Sequence, residues 1–201
     1  MSEFWAFFQV GFHHIVALDA ADHILFLLVL AAIYRGRDWR AALWVISAFT
    51  VGHSITLALA VTNVLTVRAS LVEFLIPVTI VLTGVENLVL RERAARGSGA
   101  RHRPVFAGVF GLVHGAGFAG YLKSLFVERI AVPLFGFNLG IELGQIVVLL
   151  AAAVLFFALD RAIAVARRPS WSSEPFRLRL IGVSTLVTIV AAGWAVERWP
   201  R

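Results

Sequence analysis

Six stretches of about twenty largely apolar residues each dominate this chain of 201 residues, at about 10–34, 41–63, 71–90, 104–126, 132–159 and 179–197. At 1.5 Å of rise per residue, each is long enough as a helix to cross a hydrocarbon core about 30 Å thick. The backbone polar groups of such a stretch must be satisfied within the stretch itself when lipid surrounds it, so helices are the expected form. The composition agrees: 60% of residues are hydrophobic and 15% charged, against about 25% charged in an ordinary soluble domain. The expectation is an all-α, polytopic membrane helix bundle with six transmembrane helices, forming a single integral-membrane domain over residues 1–201. A soluble enzyme domain is excluded. The absence of cysteine removes disulfides, thiolate metal sites and dithiol redox chemistry.

A net charge of +6 suggests nucleic acid at first sight, but the arginines collect in three connections. Arg35, Arg37 and Arg40 follow the first stretch, five arginines lie between 91 and 103, and Arg161, Arg167, Arg168, Arg177 and Arg179 surround the last connection. The other side holds Arg68, Lys123, Arg129, Arg198 and Arg201. This asymmetry predicts both termini on the outer, periplasmic side and the three basic connections in the cytoplasm of a bacterial inner membrane. Nucleic acid is not an expected partner. The beginning of the chain does not read as a cleaved signal peptide, because His13, His14, Asp19, Asp22 and His23 interrupt its apolar stretch.

Ionisable groups at the middle of a bilayer cost about 2.5–3.5 kcal/mol each on insertion scales, and are read as functional by default. Four of the six stretches carry them. The first contains HHIVALDAADHILF, with His14, Asp19, Asp22 and His23; the second AFTVGHSITLAL, with Thr50, His53 and Ser54. The fourth contains FGLVHGAGFAG, with His114, and the fifth GFNLGIELGQ, with Asn138, Glu142 and Gln145. Counting along each helix puts His23, His53, His114 and Glu142 all roughly 15 Å from an end, near the bilayer midplane. On a continuous first helix Asp19, Asp22 and His23 share one face.

The candidate metal ligands are therefore Asp22, His23, His53, His114 and Glu142. His14, Asp19, Ser54, Asn138 and Gln145 are secondary candidates, with Asp19 placed to orient His23 across one turn. Small residues recur every fourth position at Ala107, Gly111, Gly115 and Ala119 and at Gly136, Gly140 and Gly144. Such stripes predict tight packing of the fourth and fifth stretches, which would help bring His114 and Glu142 within reach. Glu86 lies near the inner end of the third stretch, where Arg91 or Arg93 would pair with it. Imidazole and carboxylate without sulfur suit divalent Zn, Ni, Co or Fe, and the sequence does not choose among them.

The blocks GFHHIVALDAADHILFLLVL (11–30), AFTVGHSITLAL (48–59), VEFLIPVTIV (72–81), FGLVHGAGFAGYL (110–122) and GFNLGIELGQ (136–145) resemble the HupE/UreJ family of hydrogenase- and urease-accessory membrane proteins. Asp22-His23 is similar to the family's Asp-His pair, and His114-Gly115 to its His-Gly element. The resemblance implies a multi-pass inner-membrane protein, some members being assigned as nickel permeases that supply metalloenzymes, with metalloenzyme maturation proteins as partners. A His-Pro start is missing here, and HGAG carries one histidine where the fuller pattern has two. These departures are similar to the family's second branch.

Three functions follow. The first is a divalent transition-metal permease or metal-delivery protein with an intramembrane His/carboxylate site. The second is a membrane-embedded zinc-dependent hydrolase, in which three imidazoles activate water and Glu142 or Asp22 serves as general base. The third is a non-catalytic membrane accessory or assembly protein whose buried polar groups specify helix packing.

Overall fold

The apolar stretches fold as helices, and no strand occurs among the described residues. The computed structural model describes residues 2–17, 21–95, 102–125, 130–166 and 174–200, with side chains except at 37, 90–95, 123 and 124. The helices are α1 (Glu3–Val16), α2 (Ala21–Ala31), α3 (Trp39–Val61), α4 (Ala69–Ala95), α5 (Arg103–Leu125), α6 (Ala131–Ala166) and α7 (Pro175–Glu197). Five of them, α3 to α7, are each long and apolar enough to cross a membrane, and α1 with α2 makes a sixth if the bent pair is one span. The chain is a multi-pass membrane protein.

The first expected stretch is not one helix. The axes of α1 and α2 differ by 65°, and Ala17, which closes α1 by donating to the His13 carbonyl, is extended. Two aspartates in ALDAAD account for an interruption here, since the short Asp side chain competes for backbone partners and favours helix ends over interiors. Asp22 stands in the first turn of α2, where the helix dipole favours a negative charge. Asp19 lies outside the described residues. Elsewhere the ends follow local chemistry. Asn63 takes φ 61° and ends α3 with its own N–H on Ala60 and that of Val64 on the Leu59 carbonyl, a Schellman closure. Pro175 starts α7, where its missing N–H costs nothing. α4 continues through Pro77.

Three helix pairs build the bundle: α3 with α5, α1 with α6, and α4 with α7. A Cβ added at Gly115 would overlap the His53 carbonyl, and one at Gly140 would overlap the Phe8 carbonyl. Both small-residue stripes thus mark close backbone approach, but they do not face each other. Gly111 and Gly115 receive α3, while Gly136, Gly140 and Gly144 receive α1. The first two pairs run parallel, since Phe49 and His53 follow Gly111 and Gly115 in order, and Phe4, Phe8 and Ile15 follow Gly136, Gly140 and Gly144. The third is antiparallel: Phe74 packs on Trp199 with ring centroids 5.0 Å apart, and Asn87 meets Ser184.

Helix α2 occupies the centre. His23, Phe26, Leu27, Val29, Leu30 and Ala31 are all buried, and it touches α4, α6 and α7. With 11 residues it is about 16 Å long, roughly half of the hydrocarbon thickness. Its first turn therefore opens inside the bundle.

Candidate metal centre

The ends of α1 and α2 meet the middles of α3 and α5 at four histidines. His14 comes from the last turn of α1 and His23 from the third residue of α2. Their ring centroids are 4.5 Å apart. The contact of Gly115 with the His53 backbone seats α3 directly against α5 and puts His53 beside His114. The His14 and His53 rings are 6.1 Å apart, and those of His23 and His114 are 5.2 Å apart. Phe26 and Phe49 pack on His114, and Phe118 and Phe137 pack on His14. Four imidazoles thus share an apolar chamber.

One ligand atom each from His14, His23 and His53 lies within 4.8 Å of the other two, the group of this kind found among the described residues. Nitrogens on a tetrahedral ion at about 2.0–2.1 Å stand about 3.4 Å apart, so a small rotation of the rings would close the set. His23, His53 and His114 are 7%, 0% and 1% exposed. Nε2 of His14 and His23, both ring nitrogens of His53 and Nδ1 of His114 are buried without a hydrogen-bond partner. Leaving a buried polar atom unsatisfied costs about 1–3 kcal/mol, and here five such atoms belong to one cluster of four histidines. A metal ion would satisfy lone pairs that nothing else in the protein does, so the donor set fits the group. His114 Nε2 is the exception, 3.0 Å from the Thr79 hydroxyl, which fixes that ring and leaves Nδ1 to the chamber.

The carboxylates are engaged elsewhere. Asp22 accepts from Arg198 Nη1 at 3.0 Å through Oδ2, and its Oδ1 is buried without a partner. Glu142 accepts from Ser47 Oγ at 2.6 Å, between α3 and α6. Beside it, Thr50 donates to Gln145 Oε1 at 3.0 Å, and Ser54 donates to the Thr50 carbonyl at 2.6 Å. Asn138 Oδ1 is buried and unpartnered. The group that draws together most closely is thus three histidines, with His14 in the place expected for an acid. A straight helix through 14 and 23 would separate those residues by about 13 Å along its axis; the break at Ala17 brings them into contact. ALDAAD is the signal that could have shown this.

A second polar group lies along α4. Thr79, Thr83 and Asn87 are buried at successive turns, and Arg103 Nη2 donates to Asn87 Oδ1 at 2.5 Å and to Glu86 Oε2 at 2.9 Å. Glu86 also takes a hydrogen bond from His102 at 2.5 Å. Its described partners are Arg103 and His102 rather than Arg91 or Arg93, whose side chains lie outside the described ones. In the sequence Arg103 and Arg198 read only as charges of the connections, and Thr79 carried no signal.

The sequence pattern of the family described as HupE / UreJ protein matches residues 1–198. No curated protein and no solved structure matches the chain.

Proposed function

The chain belongs to the HupE/UreJ family, and on that premise we propose that it carries a divalent transition-metal ion across, or into, the bacterial inner membrane. The observation that carries this reading is the chamber itself: five buried ring nitrogens from four imidazoles have no protein partner. Nitrogen donors suit nickel, cobalt, zinc or iron(II), and the ion is cargo rather than a resident cofactor. His14, His23 and His53 would hold it first, with His114 as a fourth donor and Asp22 Oδ1 beside them.

Two further features support transport. Broken helices whose ends meet at mid-depth are a recurrent way of building ion sites in transporters, and the carbonyl end of a half-helix attracts cations; here α1 ends at Val16 with His14 in its last turn. The helix directions also fit six alternating spans. If α1 and α2 form one crossing, α6 must run parallel to α1, α5 parallel to α3 and α7 antiparallel to α4, which is the packing described above. A re-entrant α1–α2 would make α6 antiparallel to α1. Six spans in one integral-membrane domain would put both termini on one face, and the arginine asymmetry makes that face the outer one, with the basic connections inside. Hydrolysis is less well supported, since Asp22 and Glu142, the groups expected as base, are bound to Arg198 and Ser47.

Elemental analysis of the detergent-purified protein beside His53→Ala tests this. The native chain should carry nickel, cobalt, zinc or iron and the variant should not. Cells expressing His53→Ala should lose accumulation of the radiolabelled metal while the protein stays in the membrane. Equal metal content in both proteins, or none after exposure to all four ions, would overturn the proposal.

A further inference from the structure

The imidazole chamber has an arginine–carboxylate pair on each side of it. Arg198, just past the end of α7, holds Asp22 at 3.0 Å, and Asp22 is the neighbour of His23. Arg103, at the start of α5, holds Glu86 at 2.9 Å and is itself 4% exposed. The two arginines lie toward opposite ends of the bundle. The first turns of α4 reach Trp199, whereas Glu86 lies twelve residues beyond Phe74, about 18 Å along the helix. Between them the buried hydroxyls of Thr79 and Thr83 lead from His114 to Asn87, which accepts from Arg103.

We infer that Arg198–Asp22 and Arg103–Glu86 are the two closures of an ion path, each arginine occupying the one carboxylate that a cation would reach next. This rests on the transport reading. A guanidinium beside a narrow polar path repels cations, and in a medium of low polarity that repulsion is strong. The paired acid is simultaneously withheld as a ligand. Opening one end means that the arginine leaves its carboxylate and the carboxylate turns to the ion. At the Arg198 end, Asp22 has one oxygen on the arginine and the other buried and free, so exchange requires the loss of a single contact.

The absence of cysteine allows a direct test. Thr79→Cys puts a sole thiol next to the chamber, at a position 4% exposed. The probe is a membrane-impermeant cationic methanethiosulfonate, applied to sealed vesicles from either face. In the otherwise native chain labelling should be slow from both faces. Adding Arg198→Gln should speed it about tenfold or more from the outer face alone, the scale expected on losing a charge-assisted hydrogen bond. Adding Glu86→Gln with Arg103→Met, which leaves no unpaired charge, should do so from the inner face alone. Arg198→Lys and Arg103→Lys keep the charge and should stay slow. Fast labelling of Thr79→Cys by itself, no acceleration in either variant, or acceleration from the wrong face or from both would overturn the inference. Labelling needs no metal, so failure of the chamber to bind cobalt(II) would remove the transport reading while leaving this result to be read.

Discussion

Neutral imidazole has one donor and one acceptor nitrogen, and His53 uses neither within the protein. This sets an unusual expectation for its removal. His53→Leu fills the same space without buried polar atoms, so the metal-free protein should be as stable as the native one or up to about 1–3 kcal/mol more stable. The stabilisation that bound metal gives the native chain should vanish. Thermal unfolding in detergent with and without added metal checks both halves, and marked destabilisation of the metal-free variant would point to a packing role for His53. Asn87 is the opposite case. It is fully buried and bonds the Val29 carbonyl, Ser184 and Arg103. Asn87→Leu should cost about 1–3 kcal/mol, because the Val29 carbonyl and Arg103 each lose a buried partner; unchanged unfolding would contradict that assignment. At this scale much was legible in the sequence. His23, His53 and His114 stand out as imidazoles where lipid-facing helices have no use for them. The acids were less legible: Asp22 and Glu142 have the right depth, but spacing along a helix does not reveal a partner 176 residues away such as Arg198.

Between elements, position depends on glycines that let backbones touch. Gly115 meets the His53 backbone, so α5 and α3 carry His114 and His53 to one level. Gly115→Val should force the helices apart at a cost of about 1–3 kcal/mol or more. It should also weaken metal binding, although no ligand is touched. Cobalt(II) titration of the purified variant checks this, and native affinity would show that the α3–α5 seam does not set the site. The stripes were legible as stripes, but a run of small residues says that a neighbour comes close without saying which. The fourth and fifth stretches pack instead on α3 and α1. The break between α1 and α2 was less legible, since the apolar periodicity of 10–34 runs past it. Only the aspartates of ALDAAD oppose a continuous helix, and reading them as ligands hid their effect on the backbone.

For the whole molecule, hydrophobic length carried most of the information, because a bilayer imposes a fixed thickness on any chain crossing it, whereas arginine placement bears on the orientation alone. Six alternating spans with both termini outside predict opposite exposure for two turns. A sole cysteine at Val64, 74% exposed after α3, should react with an impermeant thiol reagent from the periplasmic face. One at Gly36, exposed before α3, should react only from the cytoplasmic face. Reaction of both from one face would contradict a crossing by α3, and reaction at Gly36 from the periplasmic face would contradict the reading of α1 and α2 as a single broken span. The central claim concerns the chamber these spans enclose, and X-ray absorption at the metal edge of the loaded, purified protein tests it most directly. The account predicts at least three imidazole nitrogens at about 2.0–2.1 Å, if the ion is zinc, with the outer-shell scattering of histidine rings. A first shell made of oxygen alone, or the same spectrum from His23→Ala, would contradict it.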